Sequence, residues 1–152
     1  MTLKDLEKRM KAFEDLEEIK KLHRQYAYFL NAHQWDEMID CFTEDAMADI
    51  GIHGPHKGRK EITELFKIKI AKKNEKWRST HFVTQPIISV EGDKATGYWA
   101  VYIFGFIENT PSGPMYQWYQ GRHDCEYVKV DGKWKFSYIK YTSPWPKQLK
   151  MS

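Results

Sequence analysis

Two histidines in predicted strands are the side chains best suited to acid–base chemistry, because the ordinary histidine pKa lies near neutral pH. His81 lies near the start of one strand pattern, and His123 lies in another, directly before Asp124. Each also has a plainer interpretation. His81 could be a satisfied structural histidine at a strand end, and His123 an exposed strand residue paired with a neighbouring charge. The sheet face that each side chain lines decides between these interpretations.

Other chemical motifs are weak. His53 and His56 are three residues apart in a loop without a nearby acidic cluster, so we predict no metal. Cys41 and Cys125 have neither metal nor redox spacing. Phosphate-loop, dinucleotide and nucleophile-elbow motifs are missing from the sequence. The sequence therefore predicts chemistry without a cofactor.

Composition narrows the class of protein. The 152 residues predict one domain spanning 1–152, and the 6 Trp, 9 Tyr and 8 Phe suit either core packing or a pocket for a flat ligand. The net charge of +3 is mild, so we predict no nucleic-acid partner, and the basic run between residues 67 and 78 is interpreted as a solvated helix face. Without a membrane-length apolar run or a signal-peptide core, we expect no membrane contact and a cytoplasmic location.

The hydrophobic period indicates helices first and strands afterwards. Apolar residues recur every three or four positions to Leu30, which predicts a helix capped at Thr2, with room for a break near residues 14–15. Further predicted elements are a helix over 35–42, a turn over 43–45, a strand over 47–50, a Gly/Pro loop over 51–58 and a helix over 59–73.

Four long strand patterns fill the second half, over residues 79–90, 95–108, 115–130 and 133–141. Asp131 and Gly132 predict a two-residue hairpin turn, and Gly97, Gly105 and Gly121 are candidate bend sites. Strands of this length must twist. The predicted fold is α+β, a cone in which a curved antiparallel sheet wraps the N-terminal helices.

Alternation assigns side chains to sheet faces. In the second long strand Trp99 and Ile103 share one face and Phe104 lies on the other, and in the third His123 shares a face with Cys125.

The element order, together with segments 19–36, 79–82 and 127–136, resembles the NTF2-like superfamily, and most closely its SnoaL-like branch, which includes scytalone dehydratase and bile-acid 7α-dehydratase. The resemblance implies that His81 is a pocket base and that Asn31 stands where the family has an aspartate. Tyr26 matches a tyrosine that polarises a carbonyl, and His123 would be an acid or a substrate donor. An amide can orient His81 but supplies no negative charge.

The resemblance also implies a largely apolar pocket wall for a ring system. Leu30 and Ile50 stand where scytalone-type enzymes have tyrosines. The expected ligand-binding residues are Trp99, Ile103, Ile50, Leu30, Phe104, Trp118 and Tyr141.

We therefore expect a cofactor-independent acid–base enzyme for a small apolar, cyclic or aromatic compound, either a dehydratase-type lyase or an isomerase. The alternative is a non-catalytic module that binds a small molecule or a protein, because this fold hosts many functions. An open cone with His81 at its base would favour the enzyme or the ligand binder. A filled cone with an apolar surface patch would favour the protein-binding module. The resemblance further implies a homo-oligomer, either a trimer or a dimer.

Overall fold

A long N-terminal helix packs against a six-stranded sheet. The computed structural model describes residues 1–74 and 77–143. The helical elements are α1 (Leu3–Asn31), α2 (Trp35–Ile39), a 3-10 turn (Gly51–His53), α3 (Gly58–Glu64), a π-helical turn (Leu65–Ile70) and α4 (Ala71–Asn74). The strands are β1 (Phe42–Ile50), β2 (Pro55–Lys57), β3 (Arg78–Glu91), β4 (Lys94–Ile107), β5 (Met115–Val130) and β6 (Lys133–Thr142).

The strands lie in the order β2-β1-β6-β5-β4-β3. All neighbours are antiparallel except β1 and β6, which pair in parallel. The predicted α+β cone is confirmed, with one refinement: the sheet is mixed, because β1 returns beside the last strand rather than forming a hairpin with it.

Helix α1 begins where the sequence predicts. The Thr2 side chain accepts from the Asp5 backbone N–H and the Asp5 side chain accepts from the Thr2 backbone, which together form a capping box. The helix continues without the break allowed for near residues 14–15. There Asp15 is buried and accepts hydrogen bonds from Lys129 Nζ at 2.5 Å and Trp134 Nε1 at 3.0 Å. A polar residue at this position therefore ties the helix to the sheet.

The largest differences from prediction lie between residues 40 and 58. Helix α2 ends at Ile39 rather than at Phe42, and β1 begins at Phe42, five residues earlier than predicted. Phe42 is 2% exposed and pairs with Phe136 of β6, so tertiary packing overrides the helical period there. The predicted loop contains the 3-10 turn and the short strand β2.

The predicted helix over 59–73 is interrupted by the π-helical turn. Basic side chains of this segment pair with neighbouring carboxylates: Lys67 lies 2.5 Å from Asp36, and Lys69 lies 3.4 Å from Glu64. Lys76 of the same basic run lies outside the described residues. These pairs support the interpretation of the run as a solvated helix face.

The four long strands match their predicted bounds to within one residue. Asp131 and Gly132 have φ angles of 50° and 76°, as a hairpin turn of this type requires. The ladder irregularities lie elsewhere than the predicted glycines, after Thr84 in β3 and after Glu126 in β5.

Those glycines instead make room for aromatic rings. A Cβ on Gly97 would lie 3.1 Å from the Tyr127 ring. A Cβ on Gly121 would overlap the ring of Tyr141, and one on Gly105 would overlap the indole of Trp77. On the inner face of the sheet, aromatic side chains therefore occupy the space that a Cβ atom would need at these glycines.

We expect Asp15→Asn to lower the free energy of unfolding by about 1–3 kcal/mol at neutral pH, because a charged acceptor of two hydrogen bonds is lost. Burial opposes the charge of Asp15, but the hydrogen bonds from Lys129 and Trp134 outweigh it and lower the carboxyl pKa below its ordinary 3.8. A lowered pKa stabilises the fold above the unfolded-state value and loses that contribution as the pH falls through the folded-state value.

Urea denaturation of wild type and Asp15→Asn from pH 7 to pH 2 measures this. The difference between the two proteins should shrink in acid. Glu14→Gln, at an exposed neighbouring position, serves as the control and should change stability by less than about 0.5 kcal/mol. A difference that is independent of pH would contradict the assignment.

Candidate active site

Asn31, the last residue of α1, contacts three atoms of His81 on β3. Its Oδ1 lies 2.7 Å from the His81 backbone nitrogen and 3.1 Å from ring Nδ1, and its Nδ2 lies 3.0 Å from the His81 carbonyl oxygen. His81 is half-buried and pairs across the sheet with Ile103, whose side chain is buried on the inner face. The end of the helix thus holds both the backbone and the ring of His81.

These contacts determine the tautomer of His81. A backbone N–H can only donate and a carbonyl can only accept, so they settle which atom of the Asn31 amide is oxygen. Ring Nδ1 faces that same oxygen, an acceptor, and must therefore carry the proton. The neutral His81 ring keeps its lone pair on Nε2, which is the state that a general base needs.

A second histidine lies deeper on the same inner face. His123 on β5 is 4% exposed, and its Nδ1 lies 3.0 Å from Nε2 of His23 on α1. The other nitrogen of His23, Nδ1, lies 2.8 Å from the Tyr127 hydroxyl oxygen, and Trp99 Nε1 donates a hydrogen bond to that oxygen at 2.9 Å. His123 is therefore an interior residue linked to a buried polar chain, rather than an exposed strand histidine.

His23 was not among the predicted site residues. It is fully buried, and its ring stacks on Trp99 with centroids 4.3 Å apart. The signal was available in the sequence, because His23 lies four residues after Ile19 and three before Tyr26, on the apolar stripe of α1. A polar side chain at such a position must find buried partners.

Burial keeps the interior histidines neutral. It lowers the pKa of His123 to about 3, with a smaller contribution from His81, and it lowers the pKa of His23 well below the ordinary value, with a smaller contribution from His123. At neutral pH His123 can donate or accept a hydrogen bond but is not an imidazolium.

Tyr26 lies in the aromatic core. It is 2% exposed, and burial raises its hydroxyl pKa. Its ring packs edge-to-face on Phe136, with centroids 5.3 Å apart, and lies 6.1 Å from the His123 ring. The structure therefore surrounds the expected carbonyl donor with packing residues.

The predicted wall residues fall into three groups. Ile103 is buried and lies opposite His81, and Tyr141 is half-buried beside His123, with ring centroids 6.0 Å apart. Ile50 pairs with Tyr141 across β1 and β6. These three lie near the two histidines.

Leu30 and Trp99 are core residues, with 7% and 1% exposure. Phe104 lines a pocket together with Asn31, but the expected place of Trp118 in the pocket wall needs correction. Strand alternation directs both side chains to the outer face of the sheet. There their ring centroids lie 4.9 Å apart, and Trp118 is 67% exposed.

Two pockets open near these elements. One, of about 320 Å³, is lined by Asn31, His33, Arg78, Ser79, Thr80, Phe104 and Phe106. It brings the end of α1 and the start of β3 to solvent, next to the Asn31–His81 contact. The other, of about 590 Å³, is a polar groove near Arg59 and Lys135, and its lining includes Leu22 and Gln25 of α1 but neither Asn31 nor His81.

Residues 1–74 and 77–143 contain no group of three or more His, Cys, Asp or Glu side chains placed to hold a metal ion. His56 donates to the Gly54 carbonyl, and its other ring nitrogen lies 2.8 Å from Lys69 Nζ. In this described part, no helix is long and apolar enough to cross a membrane.

Solved structures share this architecture. An NTF2-like protein with a cystatin-like fold from Novosphingobium aromaticivorans is 19% identical, with 99% of this chain and 92% of that chain covered and a TM-score of 0.79. The hexachlorocyclohexane dehydrochlorinase LinA, type 2, is 19% identical, with 90% of each chain covered and a TM-score of 0.78. A proposed scytalone dehydratase, also from N. aromaticivorans, is 19% identical, with 88% and 87% covered and a TM-score of 0.76.

At these identities the likeness shows the fold alone. No curated protein sequence matches the chain. A family model described as the SnoaL-like domain matches residues 11–140, which include α2, strands β1 to β5, and most of α1 and β6. The protein belongs to the SnoaL-like domain family.

Proposed function

We propose that the protein is a cofactor-independent acid–base enzyme that acts on a small cyclic or aromatic carbonyl compound, as a dehydratase-type lyase or, for a substrate without a leaving group, as an isomerase. The observation that carries the proposal is the contact between Asn31 Oδ1 and His81 Nδ1, 3.1 Å long. It leaves Nε2 of His81 free of a proton in the neutral ring, on the inner face of the cone.

The proposed elimination needs only one proton carrier. His81 Nε2 takes a proton from the carbon next to a carbonyl, and the electron pair of that C–H bond forms the C=C bond as the C–O bond to the leaving hydroxyl breaks. The imidazolium of His81 then returns the proton to the departing hydroxide, which leaves as water. His123 hydrogen-bonds the carbonyl oxygen without giving up its own proton.

Apolar surroundings support a ring-shaped substrate. Ile50, Ile103 and Tyr141 lie near the histidines and offer carbon surface rather than charge. LinA, whose name describes an elimination from a hexachlorinated six-membered ring, has the same fold. This fold can therefore host an elimination of the proposed kind.

Asn31 makes His81 a weaker base than an aspartate partner would. The amide fixes the tautomer but does not stabilise the imidazolium with a negative charge. A weak base needs a C–H bond that is acidified by a neighbouring carbonyl, so ketones that carry the leaving hydroxyl on the β carbon suit this site best.

The test is a thermal-shift screen against cyclic hydroxy-ketones and polyaromatic phenols, followed by an absorbance assay for the unsaturated product. Bound ligand raises the melting temperature by mass action. We expect His81→Ala to remove the turnover and reduce the shift while folding stays nearly intact. His53→Ala, in the 3-10 turn, is the matched control and should keep both. A large loss of melting temperature in unliganded His81→Ala would instead indicate a structural histidine.

The second candidate is a non-catalytic module, and a specific observation favours it. Trp99, Tyr127, Phe136 and other rings fill the deep part of the cone. The outer aromatic patch, made of Phe82, Phe104, Phe106, Tyr116 and Trp118, is partly open to solvent. Thermal shifts without any turnover, or no shifts at all, would favour this candidate.

For the outer aromatic patch we propose a second copy of this chain as the partner, which gives a homo-oligomer, either a dimer or a trimer. Trp118 and Tyr116 are 67% and 64% exposed, and large exposed apolar patches mark interaction sites. Burying aromatic rings at an interface is a principal source of binding energy.

Light scattering coupled to size exclusion checks this proposal. Wild type should elute with the mass of two or three chains, and Trp118→Arg should shift the protein to one chain. Ile52→Arg, at a 77% exposed position in the 3-10 turn, should leave the wild-type mass unchanged. A monomeric wild type would contradict the proposal.

A substitution at Asn31 tests the coupling to His81 directly. Asn31→Asp keeps an oxygen beside His81 Nδ1 and adds a negative charge, so it should stabilise the imidazolium and move the NMR titration midpoint of His81 upward. Asn31→Ala removes the contact and should not produce that upward shift. An unchanged midpoint in Asn31→Asp would show that the two side chains are not in contact in solution.

A further inference from the structure

We infer that Trp99, Tyr127 and His23 fix the tautomer of His123, so that this buried histidine presents its Nε2–H as a neutral hydrogen-bond donor for the carbonyl oxygen of a substrate. The tautomer follows from the structure alone, whereas the carbonyl rests on the proposed function. His23 and Tyr127 are positioning residues in this account, because they act through His123.

The chain of hydrogen bonds starts at a residue that can only donate. The indole nitrogen of Trp99 lies 2.9 Å from the Tyr127 hydroxyl oxygen, and an indole N–H has no acceptor capacity. Tyr127 therefore accepts from Trp99, and its own proton has to be placed on another neighbour.

His23 Nδ1, 2.8 Å from the Tyr127 oxygen, is the better acceptor for that proton. If His23 donated to Tyr127 instead, the tyrosyl proton would be left with the thiol of Cys125, and sulfur is a weak acceptor. An unsatisfied hydroxyl in this dry interior costs about 1–3 kcal/mol. Tyr127 therefore donates to His23, and His23 keeps its proton on Nε2.

The same reasoning determines which nitrogen of His123 carries the proton. His23 Nε2 and His123 Nδ1 are 3.0 Å apart, so one must donate and the other accept. Both rings are neutral because burial lowers their pKa values. His23 Nε2–H is the donor and His123 Nδ1 is the acceptor, which places the remaining proton of His123 on Nε2.

The two site histidines then have opposite polarity. The neutral ring of His81, held by Asn31, has its proton on Nδ1, and the ring of His123, held by His23, has its proton on Nε2. A carbonyl compound with an adjacent C–H bond needs this combination, a base for the proton and a donor for the oxygen that becomes negative. A preorganised donor at such an oxygen typically contributes about 10²–10³-fold in rate.

The series of hydrogen bonds from Trp99 to His123 provides a hydrogen-bond donor for the substrate but no proton that could be transferred to it. If His123 released its proton, the replacement would have to come through His23 from Tyr127, and burial raises the pKa of that phenol well above its ordinary value. His123 therefore keeps its proton, and the proton for the leaving group comes from His81.

The test is a long-range proton–nitrogen correlation spectrum of the unliganded protein labelled with ¹⁵N-histidine, which shows the protonated nitrogen of each ring. We expect the proton on Nε2 in His123 and His23, and on Nδ1 in His81. A His123 ring protonated on Nδ1 would overturn the inference, whether or not the protein turns over any substrate.

Tyr127→Phe removes the hydroxyl with little change of shape and should leave His123 as a mixture of tautomers. Phe136→Leu is the matched control, because Phe136 packs 5.2 Å from the His23 ring without a hydrogen bond, so it should lower stability but keep the tautomer. An unchanged His123 signal in Tyr127→Phe would show that Tyr127 does not position it.

A kinetic experiment separates this inference from the proposed function. With a substrate that is turned over, His123→Phe should lower kcat by about 10²–10³-fold, and Tyr127→Phe by less, because part of its population keeps the active tautomer. Turnover that is indifferent to His123 would overturn the donor role. If the spectra show the predicted tautomers but no substrate is turned over, the positioning of His123 by His23 and Tyr127 is upheld and the proposed function is contradicted.

Discussion

The hydrogen-bonded contact of His23 with Tyr127 and His123 joins the long helix to the sheet, and the rest of the site depends on it. Burying an imidazole without partners would cost several kcal/mol, so α1 is held where His23 meets both side chains. Asn31, eight residues further along α1, then meets His81 across β3. One polar contact in the core thereby sets the position of the candidate catalytic pair.

Each histidine of the site is oriented by a group with fixed polarity. The backbone of His81 fixes the Asn31 amide, and the indole of Trp99 fixes the direction of the chain that ends at His123. Preorganised donors and acceptors need no reorganisation during reaction, which favours catalysis even when the base is weak.

Sequence reasoning predicted most of the fold because long period-two strands and the Asp131–Gly132 turn are local signals. It missed the start of β1, where Phe42 is drawn into the sheet by packing that the local period does not encode. It also missed His23, because the helix was predicted from the apolar positions of its stripe and no role was assigned to the histidine among them. Trp118 was assigned to the ligand wall although its own alternation with His123 places it on the outer face.

Exchange of substrate hydrogen tests the central claim, that His81 is a base inside the cone, most directly. A cyclic ketone that binds the protein is incubated in deuterium oxide, and deuterium at the carbon next to the carbonyl is measured by NMR. The account predicts rapid incorporation with wild type and only the background rate with His81→Gln. A ketone that binds in the cone yet exchanges no faster than in buffer would contradict it and leave the protein as a binding module.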